Sequence, residues 1–411
     1  MSLNCQNISS TNLSSSKKIS FIHSEAFTRH FTFLATILAL IIANSPFKNL
    51  YHYLFDEIIL FDHFNLHMII NDFFMAIFFL IVGCEIKREL LYGHLSDFKK
   101  AAFPILAACG GVIFPAIIFF TFNLSTPYSS GVGIPISTDI AFAVGVFMIF
   151  KNKLNTSLKV FLLSLAVVDD LLSILMIAIL YSSNFNYYAL GAALLIVIFI
   201  ALLNKLNKNN YLLPYLVGGF FLWVALYLSG IHATISGVIL AMIIPMKSNS
   251  HNKTIMASDK VEHYFTPVCN LIILPLFAFS NTGIDLNISF DIANASNLIS
   301  GIVLGLVIGK PLGIMIFTYL ATKLHIAEKP KGTRWSSIFL VSLIAGIGFT
   351  MSIFVTEIAF EGNLQVINLS KASILLASII SCTLAYVCIE IMPSLTGFYS
   401  KLASKNFILN K

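Results

Sequence analysis

Four ionisable side chains lie inside long apolar stretches of the chain. Asp139 lies in S-T-D-I-A-F-A, Asp169 and Asp170 in A-V-V-D-D-L-L, and Lys310 in V-I-G-K-P-L-G-I. A charge at the centre of a bilayer costs about 2.5 to 3.5 kcal/mol, so such residues normally face an internal cavity and have a partner. One lysine neutralises one acid, so the other carboxylates require protons or a metal cation.

The adjacent acids suit an exchange of protons for a hard cation. Neighbouring residues on a helix point about 100° apart, so one of Asp169 and Asp170 can meet Lys310 while the other lines a cavity. Burial and a like-charged neighbour both disfavour ionised carboxylates, so the pair would titrate as one coupled unit near neutral pH. Ser137 and Thr138 add hydroxyl oxygens beside Asp139. The alternative is a structural ion pair that only fixes helix packing.

The elements that position these residues are membrane-spanning helices. The 411 residues are 57% hydrophobic and 11% charged, whereas soluble domains are about a quarter charged. Apolar windows of about 20 residues, the length that crosses a bilayer, predict an all-α polytopic protein of about twelve spans. The windows are 29–45, 69–90, 101–121, 131–150, 157–181, 188–204, 211–229, 231–246, 264–281, 298–321, 335–356 and 371–393.

The distribution of basic residues predicts the orientation. With a cytoplasmic N-terminus, all of the 25 Lys and Arg residues except Lys48, Lys371 and the mid-span Lys310 fall on the inner side. Both termini are therefore expected in the cytoplasm, with a tail at 1–28, a twelve-helix domain at 29–393 and a second tail at 394–411. The basic residues follow the topology, so nucleic-acid binding is not expected, and no secretory signal peptide is recognised.

Two spans look interrupted. The fourth has Gly131, Gly133 and Pro135 shortly before Asp139, and the eleventh reads L-I-A-G-I-G-F-T-M-S around Gly346 and Gly348. Irregular backbone at membrane depth is tolerated where protein or a water cavity surrounds it, and it can hold ions there. The alternative for either segment is a glycine-rich packing face.

The spacing of these two spans favours an inverted repeat. They are seven spans apart, so they cross in opposite directions, and spans three to five would correspond to spans ten to twelve. Asp139 is placed to offset exposed helix N-termini and Lys310 to offset exposed C-terminal carbonyls of two crossed, discontinuous helices.

Several motifs together resemble the NhaA family of bacterial Na⁺/H⁺ antiporters. They keep the family's order from about residue 29 to 393, and they are I-N-D-F-F-M-A-I-F-F-L-I-V-G-C-E-I-K-R-E-L, S-T-D-I-A-F-A-V-G-V, V-V-D-D-L, S-G-I-H-A-T-I-S-G-V, L-I-L-P-L-F-A-F-S-N-T-G, G-K-P-L-G-I and A-G-I-G-F-T-M-S-I-F. The resemblance implies that Asp170 is the principal sodium ligand and proton carrier, with Asp169 beside it and able to pair with Lys310. It also implies that Asp139 and Lys310, supported by Thr138, compensate the helix dipoles.

The same resemblance implies the wider behaviour of the protein. Two protons would enter for each sodium or lithium ion exported, without a cofactor, in a homodimer in the lipid bilayer of the bacterial inner membrane. Activation at alkaline cytoplasmic pH would serve sodium and pH homeostasis.

A pH-sensing cluster at the cytoplasmic mouth is also implied. It would contain Glu85, Arg88, Glu89, Glu262 and His263. A solvated rim of charges is the alternative.

Four further positions bear on pH response, access and packing. His232 is implied as a pH-response position, although an isolated intramembrane histidine is more often a packed hydrogen-bonding residue, and Asp72 could line the external entrance. Two departures from the family pattern, Thr266 in E-H-Y-F-T-P and Leu172 after V-V-D-D-L, are expected to alter the pH profile and the packing near the ion site.

Three other functions fit less well. A sodium-coupled solute carrier would show a solute-dependent sodium current. An intramembrane aspartyl protease would need G-x-G-D, whereas the acids lie in T-D-I-A and V-D-D-L. A cation channel is disfavoured by a lysine near the path. The sequence therefore predicts a secondary transporter and not an enzyme.

Overall fold

The computed structural model describes residues 25–61, 64–150, 154–182, 185–206, 211–246, 256–284 and 292–409. Residues 1–24, most of the predicted N-terminal tail, lie outside this range. The chain divides into two compact units, the first formed by Met1–Cys84 and Phe185–Asn287 and the second by Glu85–Asn184 and Ile288–Lys411. The second unit contains all four mid-span charged residues, Asp139, Asp169, Asp170 and Lys310.

The first unit is mainly helical. It contains α1 (Glu25–Ala43), α2 (Lys48–His52), a short antiparallel pair β1 (Ile59–Phe61) and β2 (Phe64–Asn65), the first part of α3 (Leu66–Tyr92), α7 (Tyr187–Leu206), α8 (Leu213–Ser229), α9 (Ile235–Ile243) and α10 (Ala257–Asn281). Wide helical turns of the π type occur within α3 at Ile69–Phe74 and within α10 at Cys269–Ile273.

The second unit is built from helices. It contains the remainder of α3, α4 (Phe98–Asn123), α5 (Ile140–Ile149), α6 (Thr156–Leu180), α11 (Ile292–Leu304), α12 (Lys310–Lys323), α13 (Trp335–Ala345), α14 (Phe349–Ala359) and α15 (Leu364–Leu409). A π turn at Gly305–Gly309 joins α11 to α12, so Lys310 follows directly after a widened turn.

The helical, polytopic prediction is confirmed. Each of the twelve apolar windows contains helix, and seven helices are long and apolar enough to cross a membrane among the described residues, or up to nine if each of two bent pairs is one span. The exact number of spans stays a prediction. The last helix continues to Leu409, past the predicted span end at residue 393.

Glycine permits a sharp reversal and close helix packing in the first unit. Gly230 ends α8 with φ +83°, a left-handed conformation that glycine adopts without strain, and so separates the seventh and eighth apolar windows. Gly237 on α9 lies against the Ala76 carbonyl of α3, where a Cβ would collide with backbone. These two glycines allow a short helix to fit beside α3.

Small residues also bring helices together in the second unit. Gly110 of α4 and Gly313 of α12 face each other, and a Cβ on either would strike the carbonyl of the other. Large apolar side chains such as Ile149 and Ile179, 73% and 76% exposed, point away from this core. Close backbone packing inside and exposed aliphatic residues outside are what a lipid environment favours.

Candidate functional site

Both interruptions predicted from the sequence are present in the second unit. A 3₁₀ turn at Ser129–Gly133 leads into irregular backbone at 134–139, and α5 begins only at Ile140. Pro135 lies in this segment and has no N–H to give to a helix. The second break separates α13 from α14, which are bent by 45° around Gly346–Gly348.

The two interruptions are hydrogen-bonded to each other. The Asp139 N–H donates to the Ile347 carbonyl at 2.8 Å, and the Thr138 hydroxyl donates to the Ala345 carbonyl at 3.0 Å. The Ser352 hydroxyl donates to the Ile134 carbonyl at 2.8 Å. Backbone groups freed by each break are therefore satisfied by the other, as a low-dielectric environment requires.

Asp139 caps the N-termini of both α5 and α14. Its Oδ1 accepts from the Phe142 N–H at 3.0 Å, and its Oδ2 accepts from the Thr350 N–H at 3.1 Å and from the Thr350 hydroxyl. The side chain is 2% exposed. A buried carboxylate that takes three donors and faces the N-terminal ends of two helices ties those two helix starts together.

Removing this carboxylate should loosen both breaks. We expect Asp139→Ala to lower the free energy of unfolding by about 2 to 4 kcal/mol, because two helix caps of about 1 to 2 kcal/mol each are lost. Thermal unfolding of the detergent-solubilised protein measures the change. Asp97→Ala is the control, since Asp97 is half exposed and paired with Lys100 at 3.4 Å on the surface. Equal melting temperatures for the two variants would contradict the double-cap role.

Lys310 is buried with one of the paired acids. Its ammonium lies 2.8 Å from Asp169 Oδ2 and also donates to the Ile136 carbonyl, which belongs to the first interrupted segment. Lys310 and Asp169 are each 1% exposed. Lys310 therefore bridges an acid on α6 and a carbonyl freed by the break.

Asp169 and Asp170 keep unused oxygen atoms in the interior. Both side chains are 1% exposed, and the Oδ1 atom of each has no hydrogen-bond partner among the described residues. Buried carboxylate oxygens without a donor are costly. A proton or a hard cation at this position would satisfy them, which makes these atoms the candidate exchange site.

The residues implied as pH sensors are distributed over both units. Glu85, Arg88 and Glu89 lie in the second unit on α3, where Glu89 Oε2 accepts from the His94 N–H at 2.9 Å. This hydrogen bond gives Glu89 a structural role at the C-terminal end of α3, in addition to the pH-sensing role that the family resemblance implies. Glu85 and Arg88 are exposed.

The remaining members lie in the first unit. Glu262 and His263 are on α10, where the exposed His263 ring stacks edge-on against Tyr264. His232 lies in the turn between α8 and α9 with its Nδ1 3.0 Å from the Thr234 hydroxyl, the packed arrangement expected of an isolated histidine. Asp72 lies within the π turn of α3.

Two polar residues near the acids were not singled out from the sequence. Ser173 lies four residues after Asp169 on α6, and Tyr181, directly after the end of α6, lies eight residues further along the same i, i+4 row. That spacing was visible in the sequence, but which partners the face meets depends on the three-dimensional fold.

Comparison with known proteins decides the family. The model of the family described as Na⁺/H⁺ antiporter 1 matches residues 19–389. The chain belongs to the Na⁺/H⁺ antiporter family. This membership confirms the resemblance seen in the motifs and identifies a multi-pass membrane transporter with sodium ions and protons as its substrates.

Individual antiporters are similar over most of their length. The Na⁺/H⁺ antiporter NhaA of Helicobacter pylori strain P12 is 42% identical over 405 residues, covering 88% of this chain and 92% of the relative. The Na⁺/H⁺ antiporter NhaA 2 of Aliarcobacter butzleri is 42% identical over 382 residues, covering 89% and 95%. A second NhaA 2, from Helicobacter hepaticus, is 40% identical over 412 residues, covering 88% and 92%.

Proposed function

We propose that this antiporter exports one sodium or lithium ion in exchange for two external protons, through one site formed by Asp169 and Asp170. The observation that carries the proposal is the pair of unpartnered Oδ1 atoms on two fully buried neighbouring acids, beside the buried Lys310 ammonium. Three acids and one base cannot neutralise one another, so the site has a standing requirement for cations.

Competition for the same oxygen atoms couples the two fluxes. With protons bound, the acids are neutral and attract no sodium; with sodium bound, the protons must leave. Asp170 is the principal ligand in this scheme because Asp169 Oδ2 already accepts from Lys310 at 2.8 Å. Sodium then returns across the membrane only in exchange for protons, as the site faces each side in turn.

The buried ammonium is proposed to adjust the charge of the site. While Asp169 is ionised, Lys310 neutralises it and leaves Asp170 to the transported ion. When Asp169 is protonated, the Lys310 ammonium keeps its hydrogen bond to the Ile136 carbonyl. Asp139 and Thr138 do not exchange ions in this proposal; they hold the two breaks together so that the site keeps its shape.

Regulation is proposed to act away from the exchange site. Glu85, Arg88 and Glu89 in one unit, and Glu262 and His263 in the other, would respond to cytoplasmic pH, with His232 as a further pH-response position. Thr266 removes one titrating group from this set, and Leu172 adds bulk beside the acids, so the pH profile would differ from relatives with histidine and glycine there. A homodimer in the bacterial inner membrane, with cytoplasmic termini, tails at 1–28 and 394–411 and no resident cofactor, completes the proposal.

The stoichiometry predicts a response to membrane potential. Two protons for one sodium ion move one net positive charge, and 100 mV contributes about 2.3 kcal/mol, equivalent to about a 50-fold sodium gradient. In proteoliposomes loaded with sodium, a valinomycin-imposed potential negative inside should therefore accelerate sodium efflux. Reversing the potential should slow it. Efflux that ignores the potential would contradict the two-for-one exchange while leaving one-for-one antiport intact.

A further inference from the structure

A narrow cavity adjoins the candidate site within the second unit. It lies between the first interrupted segment and α6, and its polar lining comes from Ser137, Ser173 and Tyr181. Ile136 is also part of its wall, and the Ile136 carbonyl accepts from Lys310. The cavity and the surroundings of the buried ammonium therefore share Ile136 as a common neighbour.

Two serine hydroxyls that line the cavity are loosely paired with each other. Ser137 Oγ lies 3.5 Å from Ser173 Oγ, at the long limit of a hydrogen bond, and both residues are almost fully buried. Ser373 on α15 shows the usual alternative: it is equally buried, yet its hydroxyl donates to the Leu369 carbonyl of its own helix at 2.8 Å. A loosely paired couple of buried hydroxyls has oxygen atoms to offer to a passing ion.

Tyr181 also lines the cavity, beside the interrupted segment. Its hydroxyl donates to the Ser130 carbonyl at 2.8 Å and accepts from the Gly133 N–H at 3.3 Å, so it bonds twice to the interrupted segment. A Cβ at position 133 would lie 2.7 Å from this hydroxyl, which explains the glycine there. In this conformation the cavity has no room for a water molecule.

Helix geometry places these oxygens at regular steps from the acids. Ser173 follows Asp169 by four residues of α6, a rise of about 6 Å, and Tyr181 follows Ser173 by eight residues, a rise of about 12 Å. A hard cation that leaves a carboxylate needs oxygen ligands until water replaces them. Asp169, Ser173 and Tyr181 lie on one i, i+4 row that turns gradually around the helix, and this row supplies such ligands along a mostly apolar helix.

We propose that this cavity is the closed form of the outer ion path, in which Ser137 and Ser173 are transient ligands for sodium and Tyr181 is the gate. The outer side is assigned because Lys159, near the opposite end of α6, is expected on the cytoplasmic side. This inference rests on the proposed exchange at Asp169 and Asp170. Opening requires Tyr181 to release Ser130 and Gly133.

Thiol accessibility tests the path independently of transport. All six cysteines are replaced, Ser173→Cys is introduced, and a membrane-impermeant cationic methanethiosulfonate is added to right-side-out or everted vesicles. We expect modification from the outer side only, at least fivefold faster when Tyr181→Phe is added. Tyr215→Phe, which removes a hydroxyl bond to Asn204 in the other unit, is the control and should leave the rate unchanged.

The results separate the path from the exchange function. Modification from the cytoplasmic side only, no modification from either side, or no acceleration by Tyr181→Phe would overturn the path. Ser137→Cys repeats the test at the second hydroxyl if Ser173→Cys is not inserted into the membrane. Sodium-dependent proton exchange is measured in the same vesicles. If exchange persists but labelling does not come from the outer side, the outer ion path is wrong and the antiport function stands. If labelling comes from the outer side but the cysteine-free parent shows no exchange, the proposed antiport function is wrong.

Sodium affinity on the outer side provides a second readout. Ser173→Ala should raise the apparent KM for external sodium about threefold, and Ser173→Thr, which keeps the hydroxyl, should restore it. Ser373→Ala should leave KM unchanged, because that hydroxyl only bonds its own helix. An unchanged KM in Ser173→Ala would overturn the ligand role.

Discussion

Replacing Asp170 with asparagine is expected to reduce sodium-dependent proton exchange at least about 100-fold. The amide keeps the size of the side chain but can neither carry the exchanged proton nor offer a charged oxygen to sodium, so both competing states are lost. Sodium-induced dequenching of a pH-sensitive dye in everted vesicles, at pH 7 and 8.5 and matched expression, measures the effect. Wild-type activity should be larger at the higher pH.

A matched control separates the loss of this carboxylate from a general effect of the substitution. Asp97→Asn makes the same chemical change at a half-exposed position whose partner is the exposed Lys100, and it should retain wild-type exchange. A full response in Asp170→Asn, or one that needs no sodium, would exclude Asp170 as the carrier. Such a result would favour a sodium-coupled solute carrier or a cation channel over antiport through Asp170.

Replacing Lys310 with methionine should destabilise the protein by about 3 to 5 kcal/mol. The lysine is buried with Asp169 at 2.8 Å, and removing one partner of a buried ion pair leaves an uncompensated charge in the interior. Methionine fills a similar volume, so lost packing contributes little. Chemical or thermal unfolding in detergent measures the change.

The double variant Lys310→Met with Asp169→Asn provides the decisive comparison. It removes both charges, so most of the stability should return even though the ion pair is absent. Lys100→Met is the surface control and should cost less than about 1 kcal/mol, because exposed pairs contribute little. A double variant as unstable as Lys310→Met would show that the charge on Asp169 is not the cause.

Hydrophobicity predicted the helical elements well because it rests on local physics. A 20-residue apolar window has few alternatives in a bilayer, and Gly230 marked the division between two adjacent windows that lack a charge between them. The short strands β1 and β2 and the extension of α15 to Leu409 were not predicted. Both occur outside the apolar windows, where hydropathy carries little information.

The charged residues of the site were predictable for the same reason, since a mid-span charge is costly and therefore conspicuous. Helix geometry alone left open which acid meets Lys310, the family resemblance implied Asp169, and the structure pairs Lys310 with Asp169. Thr350 and Ile136 contribute a hydroxyl, an N–H and a carbonyl whose roles depend on two distant segments meeting. Ordinary residue types convey no such proximity, which explains why Ser173 and Tyr181 were missed.

The most direct test of a single competitive site is the apparent KM for sodium as a function of pH. Purified protein in proteoliposomes is assayed between pH 6 and 9, with the pH and the sodium concentration set on both sides of the membrane. Competition predicts that KM rises as the pH falls, by about tenfold per pH unit where sodium displaces one proton and by up to about 100-fold where it displaces two, while the maximal rate at saturating sodium is preserved. A KM independent of pH, with only the maximal rate changing, would contradict competition at Asp169 and Asp170.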